Sequence, residues 1–484
     1  MSSDLVERAR YLVKHGALKP NVQLQPHQAE AVARAANTPG QLLNWGLGSG
    51  KTLGAIAVAE KKGGNVLVVT PASLRENFRQ QLKKFVTADR VFAYTVISYD
   101  EFRRDPEGWI SRVRPNVVIA DEYHRLRNDT PREPFERVRA RVPFLLGLTG
   151  SLINNHPTEI VPLVNLVADK PVFKSIRDFE NAHIDKQKTP VSLLARLRGV
   201  KPGTVEKIKK PGELKEKLAP FVHRFTGTPE FKRHVPKVQE EVVEVQMTPR
   251  QEQVYRGLQT MNPILAYKIR HNLPPTKREL KDMNAFLVAA RQVSNNPADF
   301  DKTLQGIEHS AKLSKQVDEL VAAAKRDKNF RAVVYSSFLS SGVDPVVNEL
   351  QRRGVSAASF TGKLNDEQRK KIVDDLNNGR VQILGLSPAG GEGLDLKGVR
   401  VVQLTDDHWN PERTSQAVGR AARFMSHAHL AKGQRNVRVR RFVAVPRDRW
   451  YHTFTGKPTS ADQWIAARRA EKQKVNQQFL NALA

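Results

Sequence analysis

Three short stretches of this chain hold side chains whose types and spacing could do chemistry. The first, WGLGSGKT at residues 45–52, follows an apolar run and precedes the helix-forming LGAIAVAE. A glycine-rich turn in that setting aims backbone amides at phosphate oxygens, so Gly48, Ser49 and Gly50 would cradle a phosphate chain. Lys51 would neutralise the β/γ charge and the Thr52 hydroxyl would ligate Mg2+. The strict loop pattern has glycine where Trp45 stands, which makes this loop a variant. The second stretch, VVIADEYH, is a buried strand ending in adjacent carboxylates. Asp121 is placed to hold Mg2+ through water, and Glu122 to polarise an attacking water. An Asp-Glu pair alone is a solvated loop start; with the phosphate loop it completes a nucleoside triphosphatase core. The third is GRAARFMSH, residues 419–427. Gln416, Arg420 and Arg423 fall at i, i+4 and i+7 of a predicted helix, so they share one face, and no carboxylate lies near them in sequence. Either they sit in water or they hold an anion as arginine fingers toward a γ-phosphate bound on another domain.

Such groups need rigid strands behind them. LLNW, NVLVVT, NVVIA and FLLGLT, between residues 42 and 149, read as buried strands, and RAVVYSS, VQILGLS, VRVVQL and RRFVAV repeat the texture between 331 and 445. Strands apolar on both faces and separated by helical patterns imply parallel sheets. The predicted fold class is therefore α/β, with two parallel-sheet domains in tandem, at 1–165 and 311–446. Residues 166–310 read as a helical, basic insertion or brace; from 170 to 240 there are 17 Lys+Arg against 8 Asp+Glu. Residues 447–484 read as a basic helical tail presenting Arg468, Arg469, Lys472 and Lys474, either to phosphates or to solvent.

With 484 residues the chain is too long for one ordinary core. A balance of 79 Lys+Arg against 50 Asp+Glu, net +29, attracts polyanions, nucleic acid first among them. The absence of cysteine excludes thiolate chemistry, and the thirteen histidines show no paired metal-ligand spacing. No apolar signal core opens the chain and no run of about 18 apolar residues follows, so a soluble, non-secreted protein with no membrane partner is expected.

In order along the chain, LQPHQ, GSGKT, VVTPASLRENF, VISYDEF, DEYHRLRN, LTGSLINN, SPAGGEGLDL and QAVGRAAR resemble the motif series of superfamily 2 helicases. Within that superfamily the chain is most similar to Swi/Snf-type translocases, the resemblance extending to ARQVSNNP and DDHWNPERTSQA. The run through WNPERTSQAVGRAARFMSHAHL also resembles helicases of large DNA viruses, the nucleoside triphosphatase and early transcription factor ATPases of poxvirus-like lineages. There the Ser-His after the last arginine recurs, where chromatin remodellers continue differently.

The resemblance implies two RecA-like domains with ATP and Mg2+ between them and nucleic acid across their top. Double-stranded DNA is favoured over single strands or RNA. Gln28 would read adenine, Lys51 and Thr52 would bind phosphate and Mg2+, and Asp121 with Glu122 would drive hydrolysis. Thr149 and Ser151 would couple nucleotide state to domain movement, with His124 joining them. Gly393 and Asp395 would lie at the inter-domain face, and Gln416, Arg420 and Arg423 would face the triphosphate. Thr70, Pro71, Arg125, Thr361 and Ser387 would line the nucleic-acid track. Trp409 either stacks on a base or packs beside its helix, and His427 is a structural hydrogen-bonder. The function so implied is an ATP-dependent translocase or helicase in viral transcription or genome maintenance, with viral RNA polymerase or virion components as partners and a virion or infected-cell cytoplasm or nucleus as its place. The alternatives are an RNA-directed ATPase, or a DNA-binding virion or transcription-factor component in which hydrolysis is only a switch.

Overall fold

A computed structural model describes residues 17–483, apart from 47, 189–203, 274–275, 277–278, 363, 389–393, 408–410, 424 and 451–457. The chain divides into two compact units. The first comprises Met1–Asp185, Lys207–Pro229 and Lys474–Ala484; the second comprises Lys186–Glu206 and Glu230–Gln473.

In the first unit, strands β1 (Gly40–Trp45), β2 (Val66–Thr70), β3 (Tyr94–Ser98), β4 (Val117–Asp121) and β5 (Phe144–Thr149) join β8 (Val222–Phe225) in a six-stranded sheet of order β3-β2-β4-β5-β1-β8. Every pairing in it is parallel. Alternate residues of the interior strands enter two apolar layers: Leu42, Leu67, Val118 and Leu145 on one face, Leu43, Val68, Ile119 and Leu146 on the other. With both faces covered, polar groups collect at the strand ends. A separate two-stranded pair is formed by β6 (Ile184–Lys188) and β7 (Thr204–Ile208).

The second unit repeats the plan. Strands β9 (Lys237–Gln246), β10 (Ala332–Tyr335), β11 (Ala357–Phe360), β12 (Ile383–Leu386), β13 (Val401–Leu404) and β14 (Asn436–Val445) form a parallel sheet of order β11-β12-β10-β13-β14-β9. The charge-rich 166–310 segment thus contributes β8 to one sheet and β9 to the other, besides its helices. Its strands are hard to see in sequence because β9 is almost wholly exposed. Parallel pairing with β14 over ten residues holds it, with Arg440 paired to Glu241 and Arg441 to Glu240 across the strands.

The C-terminal stretch forms one long helix, Ala461–Ala482, which buries Trp464 and Phe479. Its basic residues are partly engaged inside the protein. Arg469 is buried and bonded to Asp407 at 3.0 Å, and Arg468 meets Glu471 at 2.9 Å. Apolar positions hidden among the charges, Trp464, Ile465 and Phe479, pull these arginines down onto the surface of the fold.

Beneath the second sheet's carboxyl edge lies a buried ion pair. Arg291 meets Asp406 at 2.5 Å, and Asp406 also accepts from Ser336, the Ser337 amide and Asn295. Burial alone would push the Asp406 carboxyl up; Arg291 and Ser336 outweigh it and hold the group below its ordinary range. Arg291→Ala would strand that carboxylate, so the urea midpoint of the second unit should fall by the equivalent of about 3–5 kcal/mol. The double variant Arg291→Ala/Asp406→Ala should lose less than the sum of the two single changes.

Candidate nucleotide site

The glycine-rich loop joins β1 to helix α1 (Lys51–Lys62). Gly48 and Gly50 both have φ near +75°, the left-handed region, and a Cβ on Gly50 would meet the Gln28 amide nitrogen at 2.5 Å. Glycine is therefore required at position 50 by both backbone and space. Trp45, where the strict pattern has glycine, is fully buried at the end of β1. Its ring lies against Gly54 of α1 and makes edge contacts with His27 and His223. His27 stacks on Phe225 at 3.6 Å and its Nε2 lies 2.9 Å from Ser49 O. The tryptophan thus packs the end of β1 against α1 and the two histidines.

Gln28 is buried and its amide is used at both ends: Oε1 accepts from the Gln25 amide at 2.8 Å and Nε2 donates to Gly50 O at 3.1 Å. In this structure it buttresses the loop. The Lys51 ammonium donates to Trp45 O at 2.9 Å and Gly46 O at 3.1 Å. Gly150 is near enough that a Cβ there would lie 3.8 Å from Lys51 Nζ, so the loop after β5 borders the lysine.

Asp121 ends β4. Its Oδ2 accepts from Thr70 Oγ1 at 3.0 Å and its Oδ1 from the Glu122 amide at 2.9 Å, while Tyr99 OH donates to its carbonyl at 2.7 Å. Burial first, and the Glu122 charge second, push the Asp121 carboxyl from its ordinary 3.8 to about 6, although Lys51 pulls the other way. A carboxylate pair so short of positive charge fits a divalent cation, and Thr52, in the first turn of α1, supplies a hydroxyl of the kind Mg2+ takes in such loops. Among the described residues no group of three or more His, Cys, Asp or Glu is arranged to hold a metal.

Glu122 adopts φ +50°, a left-handed conformation uncommon outside glycine. The turn brings its Oε2 within 3.3 Å of His124 Nδ1, which also lies 3.2 Å from Thr149 Oγ1. A carboxylate only accepts, so Nδ1 carries the proton. The Thr149 hydroxyl gives its own proton to Ser151 O at 2.7 Å and accepts from the Ser151 amide at 3.1 Å. Glu122, His124, Thr149 and Ser151 thus form one polar chain.

The residues expected along a nucleic-acid track occupy strand ends. Thr70 is fully buried beneath the carboxylate pair, where its hydroxyl serves Asp121, and Pro71 is buried beside it. The motif pattern that pointed to the track could not distinguish an outward hydroxyl from an inward one. Arg125 is half-buried just after β4. In the second unit Thr361 follows β11 and Ser387 follows β12, the Ser387 amide donating to Phe360 O at 3.4 Å.

Helix α2 (Pro411–Ala421) ends before Arg423, so the expected single face does not extend over all three residues. A turn with Met425 at φ +62° stops it, and the Gly398 amide donates to Ser426 O at 3.0 Å. His427 Nε2 donates to Val399 O at 2.9 Å, and the Ser426 hydroxyl shares its proton between His427 Nδ1 at 2.9 Å and Arg423 O at 2.8 Å; burial lowers the pKa of the ring. The Ser-His pair therefore pins the end of the arginine helix to the loop before β13. Arg420 is buried, and Arg423 Nη1 meets Asp395 Oδ1 at 3.4 Å. The carboxylate missing from the local sequence is supplied 28 residues upstream. Gly393, Trp409 and the Gln416 side chain lie outside the described residues.

Tyr99, Asn154 and Asn295 escaped the sequence reading although each sits in a motif stretch. Their partners, Asp121 for Tyr99, Asn476 for Asn154 and Asp406 for Asn295, lie far away in sequence, which local spacing does not encode.

The SNF2-related domain family matches residues 91–299, and the helicase conserved C-terminal domain family matches residues 311–425. A relative from Acanthamoeba polyphaga mimivirus, named for an ATP-dependent RNA helicase, is 22% identical over 459 residues, covering 94% of this chain and 95% of its own. The chromodomain-helicase-DNA-binding protein 1-like of Danio rerio is 24% identical over 443 residues, which are 83% of this chain and 40% of that protein. The Pyrococcus furiosus Hef helicase domain superposes with a TM-score of 0.50 at 17% identity, covering 88% of this chain and 97% of that one, a likeness of tandem RecA-like fold.

The buried Asp121 carboxyl predicts a pH dependence. Its folded value of about 6 lies above the ordinary 3.8, so the proton it keeps stabilises the metal-free fold below pH about 4, and that contribution is lost as pH rises through 6. Asp121→Asn should therefore melt higher than wild type at pH 8, by about 1–3 kcal/mol, with the gap closing at pH 4.5. Equal melting at both pH values would contradict this.

Proposed function

The chain belongs to the Swi/Snf-type branch of helicase superfamily 2 and is an ATPase of that family; from that premise we propose that it couples ATP hydrolysis to movement along DNA. The observation that carries the proposal is the Asp121 carboxyl, desolvated at the end of β4 beside Glu122 and within the field of Lys51. In this reading Lys51 leaves the Trp45 and Gly46 carbonyls for the β/γ-phosphates, and the amides of Gly48, Ser49 and Gly50 hold their oxygens. Thr52 and Asp121 would hold Mg2+, which when bound neutralises phosphate charge. Glu122 has Oε2 engaged by His124, so Oε1 is the oxygen left to orient the attacking water. Thr149 and Ser151 report the state of that carboxylate to the loop that follows β5. Arg420 and Arg423 stabilise charge on the transferred phosphoryl group, Arg423 exchanging Asp395 for it.

DNA as the track is supported by the net charge of +29, which favours a polyanion on the surface, and by the name of the Danio rerio relative. RNA remains the second reading, favoured by the name of the mimivirus relative. A role in viral transcription or genome maintenance is supported by that same relative and by the Ser426-His427 continuation.

Wild-type ATPase should rise on adding nucleic acid, and a panel of duplex DNA, single strands and duplex RNA at one stated salt concentration should rank duplex DNA first. Lys51→Ala should abolish the stimulated rate; a variant that kept it would sink the proposal. Arg420→Ala and Arg423→Ala should each lower kcat by about 10²–10³ with nucleotide affinity nearly unchanged, which equilibrium binding alongside turnover will separate.

A further inference from the structure

The polar chain that begins at Glu122 continues past Ser151. Ser151 Oγ donates to Asn154 Oδ1 at 2.8 Å, and Asn154 O accepts from Asn476 Nδ2 at 3.0 Å in a buried contact. Both asparagines belong to the first unit, into which Lys474–Ala484 is packed. The end of the C-terminal helix is anchored there independently of Asn476. Phe479 is fully buried in the apolar cluster that holds Leu152 and Ile153. Arg224 donates to Leu480 O, and Gln478 Oε1 accepts from the Ile208 amide at 3.3 Å. Asn476 is thus presented to the Thr149–Asn154 loop from a rigid support.

The contact is incomplete in an informative way. Asn476 Oδ1 and Asn154 Nδ2, an acceptor and a donor on adjoining residues, are both buried without a hydrogen-bond partner. Buried amide atoms are rarely left so, because each forfeits its water without compensation. A small shift of the loop that brings the two together would complete a reciprocal amide pair.

We infer that Asn476 is a positioning residue for hydrolysis. Its amide grips the Thr149–Asn154 loop, which sets where Thr149 holds His124 and where His124 holds Glu122. The inference rests on the reading of Glu122 as the group that orients the attacking water.

Asn476→Ala and Asn476→Asp, the second nearly isosteric but without the donor, test it in the full chain. The measurements are nucleic-acid-stimulated kcat and KM, affinity for a fluorescent ATP analogue, and hydrogen exchange of residues 149–155. Expected are a kcat lower by about tenfold, the size of effect that an orienting hydrogen bond commonly has, with KM and affinity within about twofold. Exchange over 149–155 should speed up. Phe479→Leu, which loosens the helix's packing and spares the amide, should lower thermal stability and leave kcat near wild type. Asn476→Ala added to Ser151→Ala should slow turnover no further, because the link is already cut. An unchanged kcat in both Asn476 variants, a loss of affinity that matches the loss of kcat, or losses that multiply in the double variant would overturn the inference alone. A wild-type chain without stimulated hydrolysis would overturn the functional reading and this inference with it.

Discussion

Two neighbouring carboxylates at the end of β4, one of them, Asp121, withdrawn from water, set the terms for what surrounds them in the first unit. Asp121 cannot ionise cheaply there, with Glu122 beside it and a covered sheet beneath. The Thr70 hydroxyl, the Glu122 amide and the Lys51 charge each offset part of that cost. The left-handed turn at Glu122 then swings the second carboxylate to His124, and the histidine ties it to the strand next door through Thr149. A site strained in this manner favours whatever brings positive charge, which is a sound basis for holding a metal-bound polyphosphate and a poor one for stability.

The second unit handles charge differently. Asp406 and Asp407, side by side before α2, are each met by arginine: Arg291 for one, Arg441 and Arg469 for the other. These pairs are internal, and they fix Asp406 and Asp407 at the end of β13. At the far end of α2 a buried histidine is held by hydrogen bonds, Ser426 on one side and Val399 on the other. Arg420 and Arg423 lie between two fixed points. Their positions therefore follow from contacts that involve no nucleotide.

Departures from the family pattern have physical accounts here. Trp45 stands where a phosphate loop ordinarily has glycine, and it fills space between α1, His27 and His223, leaving the loop's glycines free for their left-handed turns. Ser426-His427 is a structural clasp between the end of the arginine helix and the loop before β13. Both bear on what supports the site.

What the sequence determined by itself is the interior of the fold and the set of groups proposed to react. The eight strands legible as apolar runs, β1, β2, β4 and β5 in one sheet and β10, β12, β13 and β14 in the other, are the eight interior strands. In these two sheets the four strands that were not legible, β3, β8, β9 and β11, are the four edges. An interior parallel strand is buried on both faces and must be apolar throughout, whereas an edge strand is partly solvated and its sequence is freed from that demand. Likewise Lys51, Asp121, Glu122 and Arg420 were legible because phosphate chemistry restricts residue type and local spacing. Tertiary structure alone decided partnership across long sequence separations: Asp395 for Arg423, Asp121 for Thr70, Asp407 for Arg469, and Asn154 for Asn476. A hydrogen bond needs two groups within about 3 Å and correctly aimed, and only the folded backbone brings such distant residues to that distance.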